Sequence, residues 1–121
     1  MDDMSNTAWQ MYSNGFSLSL VIGTIDASSG KIQGSFIEEE STGRQILENA
    51  VWNETTKQIS FTRVLSYGET QHYIGYRFDK PVSLEQQSLA ILAGSFDDDF
   101  LSTVRTKYGW FAYYVSRAPF P

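Results

Sequence analysis

The feature that most constrains this chain is a series of short segments in which apolar residues occupy every second position. Within 16–25, for example, Leu18, Leu20 and Ile22 keep this spacing, and a period of two is typical of a half-buried β-strand. The segments predicted as strands are 9–13, 16–25, 31–38, 45–52, 58–65, 71–78, 88–96 and 108–116. No segment has the period of a long helix, so the sequence predicts an all-β fold.

The turn signals between these segments predict how the strands connect. Most are short enough for hairpins, and Asn14-Gly15 is the strongest because both residues tolerate positive φ. Gly34, Gly75 and Gly94 lie inside strands, where glycine lets a sheet bend and close. We therefore predict an eight-stranded antiparallel up-and-down β-barrel. A β-sandwich is the competing fold, and only 97–107 is long enough for the crossover that it needs.

Length and composition limit the possible organisation and partners. The 121 residues fit a single domain, predicted over 8–117 between a disordered lead-in at 1–7 and a tail at 118–121. The net charge is −5 and the 9 basic residues are scattered, which disfavours nucleic-acid and polybasic membrane binding. The absence of cysteine excludes disulfides and Cys-based zinc sites. The first residues lack a signal-peptide pattern, which fits a cytoplasmic protein or a secreted one with its signal removed.

Three different short motifs lie in the predicted strands: WQMYSNGFSL at 9–18, KIQGSF at 31–36 and QHYIGY at 71–76. In that order they resemble the opening Trp-Asn-Gly-Ser pattern, the Gly-Thr-Tyr strand and the Thr-x-Trp-x-Gly strand of the avidin/streptavidin family. The likeness in strand number and turn placement covers residues 8–116. It implies a barrel of avidin type that holds a small ligand and assembles as a dimer or tetramer.

The residues that would hold biotin in that family differ here. Phe16 stands near the family's pocket serine, and Phe36 replaces its pocket tyrosine. Phe61 and Tyr73 stand where two pocket tryptophans would lie, and the Gly94–Phe96 segment lacks the third. Each donor lost from a buried polar site costs about 1–3 kcal/mol. We therefore predict a distant member of the family without high-affinity biotin binding.

The function predicted from the sequence is non-catalytic binding of a small ligand at the open end of the barrel, without a cofactor. Aromatic side chains would supply apolar walls, and polar side chains would orient the ligand by hydrogen bonds. The predicted site residues are Asn14, Phe16, Phe36, Asn49, Phe61, Gln71, Tyr73 and Ser95. Two alternatives stay open: a structural or protein-interaction barrel filled by its own side chains, and a calycin-like carrier of a hydrophobic ligand. A roomy interior favours a carrier, and a filled interior favours an interaction protein.

The residues that could take part in catalysis or bind a metal are not arranged in a recognisable enzyme motif. The chain has no nucleophile elbow, phosphate loop or His-Glu-x-x-His motif, so we predict no enzymatic activity and no metal site. His72 alternates with Tyr73 and is predicted to face outward. The acidic runs at 38–40 and 97–99 are predicted to be solvated, because consecutive carboxylates do not match the ligand spacing of a calcium loop.

Two arginines, Arg63 and Arg77, lie within predicted strands rather than in turns. Each shares a face with apolar or aromatic residues, so an inward guanidinium would have to be paired or would bind an anionic ligand. Glu48 or another strand carboxylate is the predicted partner for the paired alternative.

Two predicted strands carry large side chains on both faces. Ile74, Tyr76 and Phe78 lie opposite Tyr73, whereas Phe111, Tyr113 and Val115 lie opposite Trp110 and Tyr114. Because one face of a lone barrel meets water, two-sided apolar strands predict a subunit interface. We therefore predict a homo-oligomer, a dimer or tetramer, with no nucleic-acid or membrane partner.

Overall fold

The computed structural model describes residues 4–65, 68–81, 88–98 and 106–118. These residues form eleven β-strands and no helix. The strands are β1 (Thr7–Ser13), β2 (Phe16–Ile22), β3 (Thr24–Ile25), β4 (Ile32–Gln33), β5 (Phe36–Glu39), β6 (Gly43–Ile46), β7 (Glu48–Asn53), β8 (Gln58–Val64), β9 (Thr70–Pro81), β10 (Ser88–Asp98) and β11 (Thr106–Arg117). In this part of the chain there is no helix of the length and apolar character needed to cross a membrane.

Nine of the strands form one antiparallel sheet in the order β6-β5-β2-β1-β11-β10-β9-β8-β7. The first strand pairs with the last, and the two edge strands, β6 and β7, are separated in the chain only by Leu47. Two hydrogen bonds join the wall at this place: Leu47 N donates to Ser35 O at 2.9 Å, and Trp52 N donates to Gly30 O at 2.8 Å. The sheet is therefore nearly closed, and the predicted all-β barrel is confirmed.

The strand count differs from the predicted eight because three predicted strands are each divided in two. The divisions fall at Gly23, at Gly34-Ser35 and at Leu47, and β3 pairs with β4 apart from the main sheet. Gly23 N donates to Ser35 Oγ at 2.9 Å, and a Cβ at Gly23 would collide with the backbone of Gln33. The divisions mark places where the wall bends and where two backbone segments come close together.

The β1–β2 hairpin has the turn that the sequence predicts. Asn14 has a φ of 50° and Gly15 a φ of 88°, as a type I′ turn requires. Ser13 and Phe16 are the pair of residues that closes the hairpin. The turn lies at the open end of the barrel and brings Asn14 and Phe16 to its rim.

Two of the predicted irregular segments fall largely outside the described residues. The connection with a predicted helical turn lies at 81–87, of which the structure describes only Pro81, the last residue of β9. The predicted irregular stretch at 97–107 is shorter at both ends than expected, because β10 reaches Asp98 and β11 begins at Thr106. Asp97 and Asp98 are therefore strand residues.

The interior of the barrel is filled by side chains from all parts of the wall. The large buried side chains are Trp9, Met11, Leu18, Leu20, Ile22, Ile37, Trp52, Ile59, Phe61, Tyr73, Leu92, Phe96 and Trp110. An aromatic stack crosses the interior, with Tyr73 between Phe61 at 4.9 Å and Phe96 at 4.5 Å between ring centroids. Aromatic residues make up 15% of the chain, and several of the largest of them are packed in the core.

Met4 closes the barrel end opposite the Asn14-Gly15 turn. Its side chain is buried, its carbonyl accepts a hydrogen bond from Thr7 Oγ1 at 2.7 Å, and its sulfur lies 3.4 Å from Nη1 of Arg77. Ala118 N donates to Asn6 O at 2.8 Å, which joins the two ends of the described chain. Residues 4–7 are thus part of the barrel and not of the predicted disordered lead-in.

Candidate functional site

A cavity of about 350 Å³ opens at the barrel end that carries the Asn14-Gly15 turn. We call it the mouth cavity. It is lined by Ser13, Asn14, Phe16, Leu18, Glu39, Ser41, Thr42, Arg63, Leu65, Glu69, Gln71, Phe96, Asp98 and Tyr108. Its volume is at the lower end of the range for small-molecule sites, about 300–1,000 Å³, and its wall combines aromatic, polar and charged side chains.

Arg63 on β8 points into the barrel below the mouth cavity and is only 4% exposed. Its Nε donates to Gln45 Oε1 at 2.9 Å, and its Nη1 donates to Gln71 Oε1 at 3.3 Å. Its Nη2 donates to Glu39 Oε1 at 3.1 Å and to Thr42 Oγ1 at 3.3 Å. A buried guanidinium is costly unless it is paired and hydrogen-bonded. Arg63 is therefore paired within the protein, which is one of the two alternatives that the sequence left open.

Glu39 corrects one sequence-based prediction and decides between the alternatives of another. The 38–40 run is not solvated throughout, because the Glu39 side chain is only 19% exposed in its ion pair with Arg63. The partner of Arg63 was predicted to be Glu48 or another strand carboxylate; Glu48 is exposed, and the strand carboxylate that pairs is Glu39 of β5. Alternation along β5 explains the difference, since it turns Glu39 inward and leaves Glu38 exposed.

Gln71 on β9 connects the arginine to two further carboxylates. Its Oε1 accepts hydrogen bonds from Arg63 and from the Tyr73 hydroxyl at 2.9 Å. Its Nε2 donates to Glu69 Oε2 at 3.2 Å and to Asp98 Oδ2 at 3.3 Å. Because its oxygen faces two donors and its nitrogen faces two acceptors, the orientation of the Gln71 amide is defined. Asp98, which the sequence placed in a solvated loop, is the last residue of β10 and faces the mouth cavity.

Tyr73 lies beneath the mouth cavity and joins the polar network to the aromatic stack. Its hydroxyl is 3.0 Å from Ser13 Oγ, and its ring stacks between those of Phe61 and Phe96. Burial raises the pKa of Tyr73, against the opposing effects of the Ser13 hydrogen bond and the Arg63 charge. The phenol is therefore neutral at physiological pH and is available as a hydrogen-bond donor to Gln71.

The charged side chains that line the mouth cavity are unequal in number. In the part of the chain that the structure describes, three carboxylates, Glu39, Glu69 and Asp98, accompany the single guanidinium of Arg63. The arginine directs four hydrogen bonds to protein acceptors, whereas each ionised carboxylate has about four lone-pair sites. The charged side chains of this wall therefore give it an excess of negative charge.

Five of the eight predicted site residues lie at or just beneath the mouth cavity. Asn14, Phe16 and Gln71 line it. Phe61 and Tyr73 are buried directly below, in the aromatic stack. Asn14, Phe16 and Gln71 therefore lie at the open end and Phe61 and Tyr73 lie on the inner face, and that they bind a ligand stays a prediction.

The other three predicted site residues lie elsewhere. Phe36 faces outward on β5, where the guanidinium of Arg44 lies 3.9 Å from its ring centroid. Asn49 is exposed at an irregularity of β7 and has a φ of 53°. Ser95 is on the outer side of β10, since its neighbour Phe96 is buried inside. For Phe36 and Ser95, the predicted register was wrong by one residue, which reverses the face of a strand residue.

The acidic side of the mouth cavity, which consists of Glu39, Glu69 and Asp98, was not predicted from the sequence. Each lies just beyond or at the end of a predicted strand and two residues from an inward side chain, as Asp98 lies two residues from Phe96. Because strand residues alternate between faces, continuing the alternation by one step from Gln71 would have turned Glu69 inward. Glu39 and Asp98 are in phase with Ile37 and Phe96, whose faces the predicted registers had reversed.

A second hollow, of about 470 Å³, lies between the β3–β4 and β7–β8 turns. Its carboxylates, Asp26 and Glu54, accept hydrogen bonds from residues in or next to these turns. Hydrogen bonds from Ser28 lower the pKa of Asp26, and hydrogen bonds from Lys57 and Trp52 lower the pKa of Glu54. The mouth cavity is the better candidate site because it reaches a buried polar network.

His72 faces outward, as predicted, and its Nδ1 lies 3.3 Å from Thr62 Oγ1. The described residues contain no group of three or more His, Asp or Glu side chains placed to hold a metal ion. No family model, curated protein or solved structure matches this chain. The geometry of the mouth cavity is therefore the basis on which function is inferred.

Proposed function

We propose that this protein binds a small polar molecule in the mouth cavity and does not transform it chemically. The observation that carries the proposal is a cavity of about 350 Å³ whose floor is a hydrogen-bonded network around buried Arg63 and Gln71. Small-molecule sites typically combine apolar walls with a few fixed polar groups. Here the aromatic stack holds the network from below, so the polar groups are oriented before a ligand arrives.

The ligand that fits this wall is neutral or cationic and rich in N–H or O–H donors. Arg63 already donates to Glu39, Gln45, Gln71 and Thr42. An anionic ligand would compete with Glu39 for the guanidinium and would meet the other carboxylates of the wall. Like charges brought together in this way cost several kcal/mol, so the anionic ligand considered from the sequence is disfavoured.

The apolar part of the site is formed by aromatic rings. Phe96 and Tyr108 have ring centroids 5.2 Å apart, and Phe16 stands at the rim with 64% of its surface exposed. A ring or short aliphatic chain of the ligand would cover these surfaces and gain about 25 cal/mol for each Å² removed from water.

Biotin is not the ligand that we propose. The ureido oxygen of biotin requires hydrogen-bond donors. Those of Arg63 are directed to protein oxygens, and the Tyr73 hydroxyl donates to Gln71. Distant membership of the avidin/streptavidin family stays a prediction from the three motifs, and isothermal calorimetry with biotin is expected to show no tight binding.

Three probes of similar size test the proposal: benzylamine, benzyl alcohol and benzoate. We expect the first two, in NMR titrations of labelled protein, to shift the Gln71 side-chain amide in a saturable manner, and benzoate to leave it unchanged. Phe16→Ser should weaken this binding, whereas Ile46→Ser is the matched control because Ile46 is 61% exposed on β6, away from the mouth cavity. Saturable binding of benzoate alone would contradict the ligand class, and no binding of any probe would contradict the function.

A second candidate function is interaction through the outer wall. The filled interior favours this alternative over a calycin-like carrier, because the buried side chains occupy the space that a large hydrophobic ligand would need. The specific observation in its favour is a group of exposed aromatic side chains on β9 and β11.

A further inference from the structure

The outer surface of β9, β10, β11 and β1 carries a continuous apolar patch, which we call the outer aromatic face. Its side chains stand in rows across paired strands. One row contains Phe78, Ile91 and Tyr113, and the next contains Tyr76, Phe111 and Tyr12. The face lies on the side wall, whereas the mouth cavity opens at the barrel end, so this inference does not depend on ligand binding.

The area of the outer aromatic face is large for a free surface. Tyr76, Phe78, Phe111 and Tyr113 are 40–56% exposed, and Val115 at the margin is also exposed. With about 150–250 Å² for each aromatic side chain, the four rings expose on the order of 300–450 Å², and Val115 adds to this area. Apolar patches of about 300–600 Å² are the largest on typical monomers and are often functional. Two such faces together approach the roughly 1,000 Å² that a specific interface needs.

The shape of the outer aromatic face is complementary to that of the same face on a second copy of the chain. On β10, Ala93 lies between Tyr76 of β9 and Phe111 of β11. The rings of Tyr76 and Phe111 therefore stand on either side of a depression at Ala93, which Ile91 bounds along β10. Around a two-fold axis, one of these rings from each copy can enter the depression of the other, because an isologous interface pairs the same patch with itself.

The rings of the face hold one another in place. The Tyr12 and Phe111 rings are stacked with centroids 5.1 Å apart, and the Phe111 and Tyr113 rings meet edge to face at 5.5 Å. Side chains already ordered in the free protein lose less entropy when a partner binds.

The charge of the face also favours a second copy. Among the described side chains, the rows of the face contain no charged residue. The ion pair of Arg77 with Asp79 at 3.1 Å lies on β9 beside Phe78, and that of Asp97 with Lys107 at 3.2 Å lies toward the mouth end. In a two-fold interface every charge near the axis meets its own copy, so an uncharged centre avoids repulsion. This matters for a chain whose net charge is −5.

We propose that two copies of this chain associate through their outer aromatic faces, about a two-fold axis close to Ala93. Sedimentation equilibrium at micromolar concentrations should give a species of twice the 13.7 kDa chain mass. Tyr76→Glu would place two carboxylates at the interface and should raise the dimer Kd by about 100-fold or more. Ile46→Glu, an equally charged change at an exposed apolar residue of β6, should leave the Kd unchanged.

A second measurement is independent of the charge variants and uses the absence of native cysteine. The thiol introduced by Ala93→Cys should react more slowly with a maleimide reagent as protein concentration rises. The thiol introduced by Ile46→Cys, on the exposed side of β6 and five strands away from β10 in the sheet, should react at a constant rate. Circular dichroism identifies any variant that fails to fold. A monomeric wild-type chain at micromolar concentrations, or an Ala93→Cys thiol whose reactivity does not depend on concentration, would overturn the proposal.

Discussion

At the scale of single residues, two neighbouring ion pairs show how burial changes the role of a charge. Glu39 and Arg63 meet inside the barrel with side chains 19% and 5% exposed. Glu38 and Arg44 meet on the outer wall, where both side chains are about half exposed. The acidic partners are adjacent in sequence, so alternation along β5 alone decides which pair is desolvated.

This contrast gives a prediction for the two arginines. Arg63→Met would leave Glu39 and two glutamines without their buried donor and should lower the free energy of unfolding by about 3 kcal/mol. Arg44→Met removes a surface pair and a ring contact, and should cost about 1 kcal/mol or less. Urea denaturation of both variants measures the difference, and equal losses would mean that the buried network has no special stabilising role.

Tyr73 gives a prediction for alkaline pH. Burial raises the pKa of Tyr73, so the folded state holds the neutral phenol, and its contribution to stability is complete below about pH 10, the ordinary value. That contribution is lost as pH rises through the folded-state pKa. Absorbance titration of the seven tyrosines should show a late component coupled to unfolding, and Tyr73→Phe should remove it. Persistence of that component in the variant would assign it to another tyrosine.

At the scale of strands, alternation predicted the elements well but not every face, since Phe36 lies beside a break in its strand, Ser95 lies on the unbroken β10, and both face outward. The hairpin at Asn14-Gly15 and the outward position of His72 follow from local pattern, and both are found. The predicted strand 31–38 is divided at Gly34-Ser35, where the phase slips by one residue. Ile37 therefore takes the inward position that was predicted for Phe36. Whether the inward and outward phase shifts at a bend depends on how the strand packs against the opposite wall of the barrel, and the local sequence does not encode that packing.

The glycines of β9 and β10 do more than allow the sheet to bend. Gly75 and Gly94 are directly opposite each other. A Cβ at Gly75 would collide with the Trp110 ring, and a Cβ at Gly94 would collide with the Ile74 backbone. Trp110 Nε1 donates to the carbonyls of Ile74 and Ser95, both at 3.2 Å. The pair of glycines thus opens the space in which the indole reaches the backbone of both strands.

The next prediction compares two glycines on paired strands. Gly94→Ala should lower the free energy of unfolding by about 2 kcal/mol or more, because the backbone opposite must move. Gly109→Ala is the matched control: its nearest neighbour is 4.0 Å from the added Cβ, and removing a glycine from a strand there should be neutral or stabilising by up to about 1 kcal/mol. Thermal unfolding of the two variants tests this, and a similar loss in both would indicate that strand entropy and not close packing controls these positions.

At the scale of the whole molecule, the two ends of the barrel are chemically different. Met4 and Arg77 close one end, whereas Glu39, Arg63 and Gln71 form the polar floor of the mouth cavity at the other. The sequence predicted a barrel and a site at its open end, but not which carboxylates meet there. Which carboxylates meet depends on the stagger of strands that are far apart in the chain. Neither charge counts nor local periodicity determines that stagger.

The closed end makes a prediction about the first described residues. Met4→Ala should create a cavity and cost about 2–4 kcal/mol, because its side chain is buried against the interior. Ile46→Ala is the control, since Ile46 is an exposed side chain of β6 and its truncation should change stability by about 0.5 kcal/mol or less. Urea denaturation measures both, and the Gln71 side-chain amide signal reports on the opposite end. A silent Met4→Ala variant would restore the disordered lead-in predicted from the sequence. A large loss with an unchanged Gln71 signal would instead mean that Met4 stabilises the barrel without shaping the mouth cavity.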